Sequence, residues 1–223
     1  MGTELPDEEA DQRIASREGM RVMDEQKEII YCEKPDSISY DEIHEVLWKA
    51  NEENRDKGFQ LATAQMTGEQ LKERIGDDGH CFVAMADGQV IGTLSLRYVD
   101  RNAWFVRGRI ADYILSAVLP EYQGYHVNSA LTQLAFDAAK RDGCQVIELD
   151  TAENNEHAIK VYEHFGFQLV GYKANPRGDH YSVIMAKWFD GCPFSKGYVR
   201  FRYGMRRLYV RLRYKENKEK RLF

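Results

Sequence analysis

Hydrophobic residues follow two different periods along this chain, and together they predict an alternation of strands and helices. Short apolar or alternating runs bounded by turn residues are typical of strands, and apolar residues three and four positions apart are typical of amphipathic helices. The predicted strands are 28–33, 80–86, 89–98, 109–119, 145–149, 167–172 and 181–188. The predicted helices carry their apolar stripes within 43–50, 71–75, 129–141 and 155–165. The predicted order is therefore β-α-α-β-β-β-α-β-α-β-β.

Short local signals mark where several of these elements begin and end. Ser39 and Thr67 each precede a Glu or Gln by three positions, which is the capping-box pattern of a helix N-terminus. Asp87-Gly88 joins two strand-like runs and predicts a two-residue β-hairpin turn. Gly166 directly follows a helical pattern and predicts a left-handed residue that ends the helix.

The junction between the fourth predicted strand and the third predicted helix carries the clearest chemistry. Residues 118–131 read Val-Leu-Pro-Glu-Tyr-Gln-Gly-Tyr-His-Val-Asn-Ser-Ala-Leu, so a strand passes through a short loop into a helix. The first N–H groups of a helix have no internal partners and lie at the positive end of its dipole, so a loop delivered there can bind a pyrophosphate. The alternative is a plain connection with Asn128 or Ser129 as the N-cap.

This junction resembles the acetyl-CoA-binding signature of the GNAT superfamily, Arg/Gln-x-x-Gly-x-Gly/Ala, which lies between the fourth strand and the third helix. Gln123 takes the Arg/Gln place and Gly124 that of the small residue beside it. His126 stands where the family usually has Gly, and Asn128 where it has Gly or Ala. The resemblance implies that backbone amides over 123–128 face the pyrophosphate. The cofactor-binding residues implied here are Gln123, Gly124, Tyr125, His126, Val127, Asn128 and Ser129.

A second motif further along the chain resembles the same family. Residues 155–167 read Asn-Glu-His-Ala-Ile-Lys-Val-Tyr-Glu-His-Phe-Gly-Phe and keep every specified position of the pattern Asn-x-x-Ala-x-x-x-Tyr-x-x-x-Gly-Phe. The resemblance implies that Asn155 helps to hold the cofactor arm and that Tyr162 is the general acid. A phenol can supply the proton that a leaving CoA thiolate needs. The alternative is that Tyr162 is a core residue on the apolar face of its helix.

The resemblance covers about residues 29–188 and implies the GNAT fold. This is an α/β (α+β) fold in which a central mixed, mostly antiparallel sheet of about seven strands is flanked by four helices. It further implies that acetyl-CoA is the co-substrate and that a backbone N–H around Ala117 and Val118 holds the thioester carbonyl. His157 and His164 have no evident third ligand nearby, so no metal is assigned.

The general base is less well defined by the sequence. Some relatives carry a carboxylate at the position of Asp112, which alternation places on one strand face with Ile114 and Ser116. Asp112 is assigned here as a catalytic base acting through water. Its alternatives are a recognition group for a cationic amine and a solvated edge residue.

Charge is distributed unevenly along the chain. The 223 residues carry a net charge of −5, yet residues 192–223 contain 11 Lys/Arg and 2 Asp/Glu, which leaves −14 for the rest. In this tail, Tyr198, Phe201, Met205, Leu208 and Leu212 follow helical spacing, whereas residues 199–203 alternate as a strand would. The helix is preferred, with Ser195 as its cap. We expect the tail to dock on an acidic body, its own or a neighbour's, in preference to an anionic membrane surface or nucleic acid.

These patterns predict three segments: an acidic extension over 1–27 that is a frayed helix or disordered, a GNAT domain over 28–190, and a basic amphipathic extension over 191–223. No apolar run approaches the roughly 18–20 residues of a membrane span, and no secretory signal pattern is present. The four cysteines share no metal-like spacing, which favours a reduced, cytoplasmic setting.

Two hypotheses about function follow from the two motifs. The first is an acetyl-CoA-dependent N-acetyltransferase that acts by direct transfer on a primary amine of a small molecule or peptide, with a homodimer left open. The second is a catalytically inactive GNAT-like module for CoA binding or interaction, in which the changes at His126 and Asn128 have abolished catalysis. The intact spacing from Asn155 to Tyr162 favours the enzyme.

Overall fold

A computed structural model describes residues 20–24, 27–52, 65–174 and 181–220, with residues 20–24, 27 and 215–220 described by their backbone alone. It contains eight strands and five α-helices within these ranges. The strands are β1 Met20–Asp24, β2 Lys27–Glu33, β3 His80–Ala86, β4 Gln89–Ala103, β5 Val106–Val118, β6 Val146–Ala152, β7 Gln168–Ala174 and β8 Tyr181–Trp188. The helices are α1 Tyr40–Ala50, α2 Gly68–Ile75, α3 Val127–Arg141, α4 Glu156–His164 and α5 Lys196–Lys220.

The predicted order of elements is confirmed from β2 to β8, and one prediction at the N-terminus is wrong. Met20–Asp24 is neither helical nor disordered, because it forms strand β1 and pairs antiparallel with β2. The physical reason is that β2 would otherwise expose a row of unpaired backbone groups at the sheet edge. Residues 1–19 and 25–26, which belong to the same predicted extension, lie outside the described residues.

The chain divides into two compact units, and β4 and β5 each run through both. The first unit contains the described residues up to Arg97 together with Tyr113–Ala138. Its strands follow the order β1-β2-β3-β4-β5, in which β2–β3 and β3–β4 are antiparallel. Both predicted capping boxes are present on its helices, and Asp87 and Gly88 have the positive φ angles of the predicted hairpin turn. Its fully buried side chains include Ile43, Leu47, Leu71, Ile75, Leu94 and Leu131.

The second unit contains Tyr98–Asp112 together with the described residues from Ala139 onward. Its strands follow the order β4-β5-β6-β8-β7, and β5–β6 is a parallel pair whereas β6–β8 and β7–β8 are antiparallel. The predicted left-handed residue after α4 is confirmed, because Gly166 has a φ of 89°. The core of this unit consists of Phe105, Ile110, Val146, Val170, Ala186 and Val199.

The basic tail forms helix α5, which confirms the helix predicted from the spacing of its apolar residues. The strand suggested by the alternation over residues 199–203 is not formed. Ser195 caps α5 as predicted, because its hydroxyl accepts a hydrogen bond from Tyr198 N at 3.2 Å. Val199 is buried in the second unit, and the Glu153 carboxylate accepts hydrogen bonds from Arg207 at 2.7 Å and Arg211 at 2.9 Å. One face of α5 is therefore anchored by apolar burial and by charge-assisted hydrogen bonds.

Candidate active site

The loop before α3, residues Gln123–His126, is exposed and has an irregular backbone. Strand β5 ends at Val118, a 3-10 turn follows over Pro120–Tyr122, and α3 begins at Val127. Gly124 and His126 have φ angles of 89° and 58°. Left-handed residues within such a turn arrange successive backbone N–H groups into a concave anion site. We call residues Gln123–His126 the pre-α3 loop.

The start of α3 adds further donors to this loop. Ala130 N donates to His126 O at 3.1 Å, which is the first hydrogen bond of the helix, so Val127, Asn128 and Ser129 supply the first-turn N–H groups. A Cβ on Gly124 would meet no atom within 4 Å, so the space beside this backbone is open. These features fit an anionic group such as a pyrophosphate.

The alternative of Asn128 or Ser129 as the N-cap is not what the structure shows. Helix α3 begins at Val127, so both residues lie in its first turn, and His126 O accepts its first hydrogen bond. The Asn128 side-chain oxygen instead accepts hydrogen bonds from Ser116 Oγ at 3.1 Å and from Tyr113 OH at 3.4 Å. This side chain therefore links α3 to β5 and does not cap the helix.

The conformation of His126 gives a physical reason for the glycine that the family pattern has there. A φ of 58° lies in the left-handed region, which glycine adopts at little cost and β-branched residues adopt least readily. We expect His126→Val to lower the free energy of unfolding by about 1–2 kcal/mol, and His126→Gly to be close to neutral because relief of strain offsets the added freedom of the unfolded chain. Urea denaturation measures both changes.

Gln123→Val provides the matched control, because Gln123 lies in the same loop with an extended backbone, φ −69° and ψ 142°. It should change stability by less than about 0.5 kcal/mol. Equal losses in His126→Val and Gln123→Val would contradict the explanation from backbone strain.

Strand β5 contains a bulge immediately before its C-terminal end. Leu115 is buried and has a φ of 55°, which interrupts the alternation of side chains along the strand. As a result, Tyr113 and Ser116 lie on one face, where the Tyr113 hydroxyl contacts Ser116 Oγ at 3.3 Å and Thr132 Oγ1 at 3.0 Å. The prediction that Asp112 and Ser116 share a strand face is therefore wrong, because strict alternation does not survive a left-handed residue.

Close packing brings the start of α3 against β4 and the end of β5. A Cβ on Gly92 would lie 3.0 Å from Val127 Cγ1, 3.3 Å from Leu131 Cδ1 and 3.4 Å from Ala117 O. The absence of a side chain at Gly92 therefore permits this approach. It places the backbone of Ala117 in the same packed region of the first unit as the N-terminus of α3.

In the second unit, Asp112 has a carboxylate neighbour that the sequence analysis missed. Asp112 on β5 pairs in parallel register with Glu148 on β6, and the two residues are 8% and 6% exposed. Arg101 Nη2 lies 2.7 Å from Glu148 Oε1. We call Asp112 and Glu148 the acidic strand pair. The available signal was a glutamate inside the apolar run 146–149, where a buried carboxylate requires a partner.

Glu148 has a strongly perturbed acidity. Burial raises its pKa to about 7 from an ordinary 4.5, the guanidinium of Arg101 opposes that rise, and the negative charge of Asp112 adds to it. Two smaller effects follow the same pattern. The positive charge of Lys173 opposes the rise in the pKa of Glu148, and the negative charge of Asp150 adds to it. A carboxylate that titrates near neutral pH can both accept and release protons under physiological conditions.

The motif that contains Asn155 and Tyr162 forms the start and the body of α4. Asn155 is the N-cap, and its side-chain oxygen accepts a hydrogen bond from Ala158 N at 3.1 Å. Tyr162 is half-buried, with its ring centroid 5.9 Å from that of Phe167. No residue of α4 is fully buried. Tyr162 is therefore not a fully enclosed core residue, which was the alternative to a catalytic role.

The described residues contain no group of three or more His, Cys, Asp or Glu side chains placed to hold a metal ion. Among the helices described for this chain, none is long and apolar enough to cross a membrane.

Comparison with known proteins supports the resemblance noted in the sequence. Residues 40–167 match the acetyltransferase (GNAT) family model. An N-alpha-acetyltransferase 30 of Schizosaccharomyces pombe is 35% identical over 86 residues, which are 39% of this chain and 55% of that protein. The N-alpha-acetyltransferase MAK3 of Arabidopsis thaliana is 31% identical over 87 residues, 39% of this chain and 44% of that protein. The matched part thus spans about half the length of these curated relatives.

The fold extends beyond the part that these sequences share. The structure of an aminoglycoside 6'-N-acetyltransferase complexed with coenzyme A superposes with a TM-score of 0.55 at 14% identity. It covers 74% of this chain and 99% of that one. The predicted fold class is thereby confirmed, and the additional strand β1 and helix α5 lie in the two predicted extensions.

Proposed function

Because this chain belongs to the GNAT acetyltransferase family, we propose that it is an acetyl-CoA-dependent N-acetyltransferase that transfers the acetyl group directly to a primary amine. The observation that carries this proposal is the pre-α3 loop, in which two left-handed residues lead into a helix with unpaired first-turn donors. Such donors bind phosphates without requiring a basic side chain.

We assign the pyrophosphate and the acyl oxygen of the cofactor to residues of the first unit. The backbone N–H groups of Gln123, Gly124, Tyr125 and His126, together with those of Val127, Asn128 and Ser129, would hold the pyrophosphate. When bound, acetyl-CoA supplies an activated thioester. The backbone around Ala117 and Val118, immediately after the bulge at Leu115, would donate a hydrogen bond to the acyl oxygen. Asn155 is proposed to contact the cofactor arm as well as to cap α4.

Two proton transfers must accompany acetyl transfer. The Tyr162 hydroxyl is proposed to donate a proton to the departing sulfur. The acidic strand pair is proposed to accept a proton from the acceptor ammonium, directly or through water, which frees the neutral amine to attack the thioester carbonyl. Glu148 is the proton acceptor in this proposal, since its pKa lies near 7, and Asp112 keeps that pKa high by its charge. Should Asp112 be the base instead, the Asp112→Asn variant distinguishes the two assignments.

The acceptor is proposed to be the α-amino group of a peptide or protein. The support is that the two relatives described above are N-alpha-acetyltransferases. An α-amino group has an ordinary pKa of about 8, so a carboxylate that titrates near 7 is a well-matched base for it. A panel of short peptides with different N-terminal residues is therefore the first acceptor screen.

The alternative, an inactive GNAT-like module, rests on His126 and Asn128. The Asn128 side chain is turned toward Ser116 and Tyr113, so this departure from the family pattern does not obstruct the loop. The remaining support for an inactive module is the side chain of His126, which stands where the family pattern has glycine and could block the pyrophosphate site.

Calorimetric titration of acetyl-CoA into the protein tests the proposed function. We expect micromolar binding that Gln123→Glu weakens at least tenfold, because a negative charge is placed beside the pyrophosphate. Gln133→Glu is the matched control, since it makes the same charge change on the exposed face of α3 and should leave affinity within about twofold. No detectable binding by the unaltered protein would contradict the proposal.

A further inference from the structure

Helix α5 carries a second apolar face that its contacts with the rest of the second unit do not use. Phe201, Met205, Leu208 and Leu212 are 52–63% exposed, whereas Val199 and Val210 are buried. At about 100° of rotation per residue, the four exposed residues fall within one narrow stripe on the side opposite Val199 and Val210. We call these four residues the outer stripe.

The charged side chains beside the outer stripe are all basic, and the exposed Tyr198 and Tyr209 lie along one of its edges. Residues 196–215 contain eight Lys or Arg and no Asp or Glu. Arg206 donates to Tyr172 O, and Arg207 and Arg211 bind Glu153, so these three are engaged with the chain itself. Arg200 and Arg202 lie about 100° to either side of Phe201, and Arg213 lies beside Leu212. All three are exposed.

This combination of an apolar stripe and a cationic border is the pattern of a helix that lies in a membrane interface. Leucine, methionine and phenylalanine side chains enter the boundary of the acyl chains, and arginines bind the anionic headgroups around them. The stripe from Phe201 to Leu212 is about 17 Å long at 1.5 Å per residue, which is sufficient for peripheral attachment but not for a span.

The charges around the outer stripe argue against a second copy of this helix, and its apolar side chains argue against a nucleic acid. The spacing of four, three and four along the outer stripe also suits a coiled-coil seam with a second copy of this chain. Such a pairing would bring Arg200, Arg202 and Arg213 against the same cations of the partner, with no acidic residue of 196–215 between them. A nucleic acid would satisfy the arginines but would leave Met205, Leu208 and Leu212 without a favourable contact, because its surface offers phosphates and stacking faces.

We propose that the outer stripe of α5 docks the protein on an anionic lipid surface. The catalytic residues assigned above have no part in this attachment, so the inference is independent of the proposed acetyl transfer.

Co-sedimentation of the full-length protein with vesicles tests the inference. We expect binding to phosphatidylcholine vesicles that contain 30% phosphatidylglycerol, at least tenfold weaker binding to pure phosphatidylcholine, and a steep decrease with salt. Leu208→Glu combined with Leu212→Glu should lower the partition coefficient for the anionic vesicles at least tenfold. Circular dichroism should show unchanged helicity, because both side chains are exposed.

Trp48→Glu is the control for the charge of each replacement, because it places one glutamate on an exposed large side chain of α1, whereas the double variant places two on α5. It should leave vesicle binding within about twofold. Absence of binding by the unaltered protein, or equal binding by the double variant, would overturn the inference. It would also be overturned by a dimer that only the double variant dissociates, or by tight binding to RNA or DNA in place of vesicles.

Discussion

Tyr162→Phe is expected to lower kcat by about 10²- to 10⁴-fold while leaving acetyl-CoA affinity within about twofold. The range is the usual contribution of a positioned general acid. Phenylalanine retains the ring that packs against Phe167, so α4 should keep its structure and only the proton of the hydroxyl is lost. Release of free CoA thiol in the presence of the best peptide acceptor measures turnover, and calorimetry measures affinity.

Tyr198→Phe is the matched control for this experiment. Tyr198 is exposed on α5, where its ring packs against Trp104 and Phe194. It has no proposed role in transfer, so kcat should be unchanged. If Tyr162→Phe raised KM and left kcat intact, Tyr162 would be a binding residue and the general acid would have to be sought elsewhere.

The second large effect is expected from the acidic strand pair, as a change in the pH profile. If Glu148 accepts the proton, kcat/KM of the unaltered enzyme should rise with pH through an apparent pKa of about 7. Glu148→Gln should lower kcat/KM by about 10²-fold or more and remove this rise. The measurement is initial rate against pH from 5.5 to 9 with one peptide acceptor.

Asp112→Asn separates the two candidate bases. The charge of Asp112 raises the pKa of Glu148, so neutralising it should move the midpoint of the profile to lower pH while activity above pH 8 is retained. Loss of activity at every pH would instead assign the base to Asp112. An unchanged profile in both variants would exclude the acidic strand pair from proton transfer.

The raised pKa of Glu148 also makes the stability of the fold depend on pH. The folded state binds the Glu148 proton with a pKa of about 7, compared with 4.5 for the ordinary group. Between these values the folded state holds more protons than the unfolded state, so this group lowers stability as pH rises from about 4.5 to about 7. Glu148→Gln should therefore gain stability relative to the unaltered protein above pH 7, by up to about 3 kcal/mol.

Most of the fold was predictable because its determinants are local. Capping boxes at Ser39 and Thr67, the Asp87-Gly88 turn and the glycine after α4 each depend on a few neighbouring residues, and all are present as predicted. The family was recognisable for the same reason, since both motifs are short and contiguous. Strand β1 was missed because its formation depends on pairing with β2, and the segment itself has weak periodicity.

The sequence by itself determined the order of elements, the family and the residues of both motifs. Only the tertiary structure decided the backbone conformations of Leu115 and His126, because a left-handed residue is imposed by packing and hydrogen bonds and leaves no pattern in a non-glycine sequence. The pairing of Glu148 with Asp112 was likewise visible only in the tertiary structure, because strand register depends on residues far apart in the sequence. The tertiary structure also decided which face of α5 is buried, because the helical period identifies the apolar positions but not the surface that covers them.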